Sequence, residues 1–73
     1  MKYIVIELQT NADGTVGNIV NAYDDRNAAE SQYHSVLSAA AISNVPVHSC
    51  IMITSEGRPL DWKFYDHRTS TEA

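Results

Sequence analysis

The sequence predicts an α+β domain of order ββαββ: a four-stranded, largely antiparallel sheet with one helix packed on one face. Three observations lead there. Four runs rich in β-branched and aromatic residues are separated by turn chemistry. The one stretch with a helical repeat lies between the second and third of them. The third run is apolar on both of its faces, as a central strand covered from two sides would be.

The first run, Tyr3 to Thr10, has no Gly or Pro and reads as a strand. Alternation sends Ile4, Ile6 and Leu8 to one face and Tyr3, Val5, Glu7 and Gln9 to the other. Asn11-Ala12-Asp13-Gly14 is a tight turn, because Gly accepts the positive φ that such a reversal needs. A second strand runs from about Thr15 to Tyr23 and closes a hairpin, with Gly17 expected to mark a bulge or a close backbone approach. Asp24-Asp25-Arg26-Asn27 then opens a helix. Asn27 and Glu30 have capping-box spacing, and Asp25 is the alternative N-cap.

Ala29, Tyr33, Val36, Leu37 and Ala40 fall on one helical face, while Ser31, Gln32, Ser35 and Ser38 make an uncharged polar one. The helix should stop near Ile42, ahead of Val45-Pro46. In the third strand, Val45 to Thr54, one face carries Val45, Val47, Ile51 and Ile53 and the other His48, Cys50, Met52 and Thr54. Ser55 to Pro59 is a turn. The last strand, Leu60 to Tyr65, puts Leu60, Trp62 and Phe64 on one side, an aromatic stripe expected in the core. The domain spans residues 1–67, with 68–73 a flexible tail. His67, at the tail, is given no role.

Seventy-three residues allow one core and no second domain. A chain this short hides only about 60% of its unfolded surface, so small folds draw on disulfides, metals or self-association. Cys50 is the lone cysteine, and no CxxC or HxxxH pair suggests structural zinc. No metal or other cofactor is therefore expected, and self-association remains. One helix covers one sheet face, so the other must find a partner. Tyr3, Val5, Cys50 and Met52 are expected on that second face, as the interface of a homo-oligomer, at least a dimer.

The net charge is −4, and the five basic residues are scattered along the chain. Polyanion binding needs clustered cations, so a nucleic acid polymer is an unlikely partner. No apolar run reaches the ~20 residues that span a bilayer, so no membrane partner is expected. A lone cysteine without an export signal suggests a cytoplasmic location.

No catalytic constellation emerges. His48 and Cys50 share a strand face, but nothing in the sequence lowers the thiol pKa, and the reading is of a small buried hydrophobe and not a nucleophile. Glu7 sits among apolar neighbours and needs a partner. With Gln9 and Asn21 it forms a polar row suited to interface pairing or to a ligand's base or ribose. His34 flanks the helical stripe, and Lys63 and Tyr65 face away from Trp62, as a surface contact would.

The run Ile4 to Val16 resembles the opening of a family of short proteins found widely in phages and prophages of gut Firmicutes. The resemblance continues through Ala29-Glu30-Ser31, Tyr33-His34, Val36-Leu37, Ala39-Ala40-Ala41 and Val45-Pro46-Val47-His48, covering roughly the first 57 residues. Beyond Gly57 the chain departs from it: Trp62-Lys63-Phe64-Tyr65 stands where an acidic, proline-rich tail is usual. No catalytic motif comes with the family. What the resemblance implies is a phage origin, and with it a non-enzymatic protein that sequesters a small nucleotide immune signal of the host between subunits. Glu7, Gln9, Arg26, His34 and Lys63 would then orient base, ribose and phosphate. The alternatives are a phage structural or assembly accessory, or a direct inhibitor of a host protein.

Overall fold

The computed structural model describes residues 1–68 and has the expected ββαββ order. β1 (Tyr3–Thr10) and β2 (Val16–Tyr23) form the first hairpin, and α1 (Arg26–Ala41) follows. β3 (Val47–Thr54) and β4 (Pro59–Asp66) form the second hairpin. The sheet order is β2-β1-β3-β4, with every neighbouring pair antiparallel. Strands β1 and β3 are central, which explains their larger share of β-branched residues. Cover on both sides of β3, expected from sequence, is not observed: only its His48, Cys50, Met52 and Thr54 face is buried, and Val47, Ser49, Ile51 and Ile53 are half-buried.

Gly14 and Gly57 take φ of +90° and +88°, one in each hairpin turn. In the first turn the Asn11 N–H donates to Thr15 O at 2.8 Å and Gly14 N–H to Asn11 O at 3.0 Å, a three-residue loop ending in a left-handed glycine. Gly17 makes no bulge: the β1–β2 register runs unbroken past it, and a Cβ there would meet nothing within 4 Å.

The N-cap is Asp25, whose carboxylate accepts from Ala28 N–H at 3.3 Å, so the Asn27–Glu30 capping box does not form. Glu30 instead accepts from Arg26 Nε at 3.0 Å. At the other end no basic residue lies in the last turn. His67 supplies what is missing, its Nε2 donating to Ala40 O at 2.7 Å while its backbone N–H bonds Pro46 O at 2.7 Å. His67 thus ties the end of β4 to the helix, against its expected place at a loose tail. Of the expected tail 68–73, only Arg68 lies within the described residues, clasping the Asp66 carboxylate through Nε and Nη2 at 2.9 and 2.6 Å.

The helix lands on the face opposite to the one expected. Its stripe of Ala29, Tyr33, Val36 and Ala40 packs on Val5, Cys50 and Met52, with Tyr3, Tyr23, Leu37 and Leu60 around the margin. Val5, Cys50 and Met52 are buried within one chain and are not available as an interface; Tyr3 is half-buried beside them. The physical reason lies in size. Cys50, Val5 and the flexible Met52 leave space for a closely docked helix with alanines on its inner face. Both faces of β1 and β3 carry apolar residues, so alternation alone did not choose between them.

Leu60 corrects a second expectation. A register irregularity between Met52 and Ile53 places Met52 opposite Asp61 and Ile53 opposite Pro59. That bulge breaks the alternation of β4, so Leu60 packs on the core while Trp62 and Phe64 point to the opposite face. There they are 66% and 62% exposed, not core.

Candidate functional site

Three features on this scaffold carry chemistry or recognition: an uncovered apolar sheet face, a groove beside the helix, and a buried polar pair.

The face away from the helix is built by the strand registers. Val20 lies beside Ile6, Ile6 beside Ile51, and Ile51 beside Trp62, an apolar row crossing all four strands. The next rows add Ile4 with Ile53, and Leu8 with Ser49 and Phe64. No charged side chain interrupts these rows. A shallow, almost wholly apolar depression of about 330 Å³ lies between Leu8, Ile51, Trp62 and Phe64. Among the described residues nothing packs over this face. Eight-residue strands at about 3.3 Å per residue and 4.8 Å spacing make a surface of about 26 by 19 Å. Apolar patches of that size, at the upper end of what a single chain exposes, are often functional.

The groove, about 470 Å³, runs between one flank of α1 and the edge strand β4. Tyr33, His34, Leu37 and Ser38 form its helix wall, and Asp61, Trp62, Lys63 and Tyr65 its strand wall. Tyr33 is edge-on to His34, with ring centroids 5.4 Å apart. Lys63 Nζ sits 5.3 Å from the Tyr65 ring, and Tyr65 stacks on His67 at 6.1 Å. Burial pushes the Tyr33 phenol up to about 12, and the nearby Asp61 carboxylate pushes in the same direction.

The polar pair lies under the helix. His48 Nε2 meets Glu7 Oε2 at 2.5 Å, and Gln9 Nε2 donates to the same oxygen at 3.0 Å. His48 is 5% exposed, and its Nδ1 has no hydrogen-bond partner. Glu7 thereby finds its partner across the β1–β3 ladder. Cys50, directly opposite Glu7, makes no bond to His48. Burial, then the Glu7 charge, pushes its thiol up to about 11, the reverse of what a nucleophile needs.

The five expected ligand residues do not converge. His34 and Lys63 line opposite walls of the groove. Glu7 and Gln9 bond each other and His48. Arg26 is held by Glu30 two helical turns before His34, about 12 Å along the axis. Asn21, half-buried on β2, completes no continuous row, because Ile19 stands between it and Gly17 on that face. The residues missed were Asp61 and Tyr33 in the groove wall and the whole Ile6–Ile51–Trp62 row. Helical spacing marked Tyr33 as core, which hides that one edge of a core residue can still line a cleft.

Comparison with family models, with curated proteins and with solved structures gave no match. What the chain does is therefore read from its own surfaces. Among the described residues no cluster of three metal-ligating side chains occurs, and no helix is long and apolar enough to cross a membrane.

Proposed function

We propose that the chain is a non-enzymatic binding module that works as a homo-oligomer, with the uncovered sheet face as the contact between copies. The observation that carries this reading is the uncharged Val20–Ile6–Ile51–Trp62 row crossing the full width of the uncovered sheet face, with Val20 and Trp62 exposed at its ends and Ile6 and Ile51 half-buried between them. Stacking two such faces buries about 500 Å² of plan area on each copy, about 1,000 Å² together, which is at the threshold of a biological interface and in the range of weak, reversible ones. Trp62 and Phe64 are the anchors, since aromatic side chains bring the most contact area for the least lost freedom. The state of Cys50 supports a non-catalytic role: a buried thiol pushed up to about 11, with no base in hydrogen-bond reach, attacks nothing at neutral pH.

Sedimentation velocity tests this. The natural chain should run as a dimer or larger at micromolar concentration, and Trp62→Lys with Phe64→Lys should run as a folded monomer. A natural chain that stays monomeric at those concentrations overturns the reading.

A second reading follows from the groove, which His34 lines from the helix and Lys63 and Tyr65 line from β4. It is the right size for a nucleotide, with the Tyr65 ring on its strand wall for a base and one cation for a phosphate. Sequestration of a small nucleotide signal of a bacterial host rests there, on two of the five expected residues. Native mass spectrometry with added cyclic nucleotides and ADP-ribose derivatives checks it: an adduct lost in Lys63→Ala supports it, and none at millimolar ligand removes it.

A further inference from the structure

The two edges of the sheet are built differently. β4 is guarded: it starts at Pro59, carries Asp61, Lys63 and Asp66, and has a bulge against β3. Proline, charge and bulges are the devices that keep an edge strand from pairing with another chain. β2 has none of them. Its eight residues, VGNIVNAY, include no charge and no proline, its register is unbroken, and Ile19 and Val20 are 52% and 57% exposed on opposite faces.

The hydrogen-bond phase of β2 shows which groups its edge presents. Asn11 N–H donates to Thr15 O across the turn, so that pair is of the hydrogen-bonded class. Alternation puts Gln9–Gly17, Glu7–Ile19 and Val5–Asn21 in the same class. The N–H and C=O groups of Asn18, Val20 and Ala22 therefore point outward, unpaired among the described residues.

We infer that this edge is a strand-addition site whose partner is β2 of a second copy, paired antiparallel about a two-fold axis at Val20. The argument for a second copy is self-complementarity. Centred on Val20, the outward residues pair with one another, Val20 with Val20 and Asn18 with Ala22, giving about six backbone hydrogen bonds. No charge opposes a like charge along the ladder. The same register sets Gly17 of each copy opposite Tyr23 of the other. Within one chain Gly17 has no φ, bulge or close approach to explain it. A glycine facing an aromatic ring across a strand pair is covered by that ring, and here the pair is of the closer, non-hydrogen-bonded class. A bare Gly17 is thus accounted for by the second chain. The edge contact extends the sheet sideways, goes beyond the stacking of faces proposed above, and stands without it.

Cross-linking separates the two contacts. In the hydrogen-bonded pair at the axis the Cα atoms lie about 5.5 Å apart, within disulfide range. Val20→Cys should therefore cross-link to a covalent dimer under mild oxidation. Adding Asn18→Pro should abolish that cross-link, because it removes an outward N–H while sparing the β1–β2 ladder. Circular dichroism confirms that the double variant folds. Ile6→Cys, central on the open face, reports face stacking alone. No Val20→Cys cross-link, or one that persists with Asn18→Pro, overturns the edge pairing whatever Ile6→Cys does. An Ile6→Cys chain that fails to cross-link while Val20→Cys succeeds removes the stacked face and leaves the edge.

Discussion

Cys50 and Tyr33 show at the scale of single residues how the helix sets chemistry. Cys50 is buried beneath it and Tyr33 is buried on its inner face, and both ionise less readily than in an unfolded chain, to about 11 and about 12. A raised pKa in the folded state means that stability is full below the unfolded values, about 8.5 for Cys and 10 for Tyr. It is lost as pH rises through the folded ones. Denaturant midpoints should therefore be flat from pH 7 to 8 and fall steadily above about pH 9. In the same window the thiol should resist alkylating reagents until the chain unfolds. Rapid labelling of the native protein at neutral pH would contradict the burial of Cys50. Met52, 2% exposed at the centre of the core, makes the packing test. Met52→Ala should cost about 2–5 kcal/mol in chemical denaturation, since a cavity adds to the lost transfer energy.

At the scale of elements, α1 is held at both ends by side chains and not by its own charges. Asp25→Ala should cost about 1 kcal/mol by removing the N-cap. His67→Ala removes a bond to Ala40 O from 27 residues away in the chain and should cost a similar ~1 kcal/mol. Amide exchange should then quicken in the last helical turn only; no local change would mean that His67 does not cap the helix. Strands, turns and the helical stripe were legible in the sequence because they rest on local periodicity and turn chemistry. The residue sets on each face of β1 and β3 were legible for the same reason. Which set the helix covers was not, because Val5, Cys50 and Met52 are as apolar as Ile4, Ile6 and Ile51. That choice rests on how closely a helix can approach, a property of side-chain shape. Leu60 was misplaced because one bulge inverts every inference from alternation beyond it. The Glu7–His48 pair escaped notice because it depends on the β1–β3 register, set by residues 41 apart.

For the whole molecule, the consequence of helix placement is that the larger and more β-branched face of the sheet is left open. The expected interface of Tyr3, Val5, Cys50 and Met52 is instead the face the helix covers, and the proposed contact between copies lies on the Ile6, Ile51 and Trp62 row. A short chain with a single helix covers one side of its sheet, and on the proposed reading a second copy covers the other. The scattered ligand candidates belong to the same scale: they reach a common pocket only where β4 runs beside α1.

Trp62 is the chain's single tryptophan and stands at the end of that open row. Its fluorescence across a dilution series is the most direct test of the stacked face. The emission should be blue-shifted, as for a buried indole, at high concentration, and should move to the solvent-exposed wavelength on dilution, without loss of secondary structure. Solvent-like emission at every concentration would mean that the face stays wet, and that no second copy covers it.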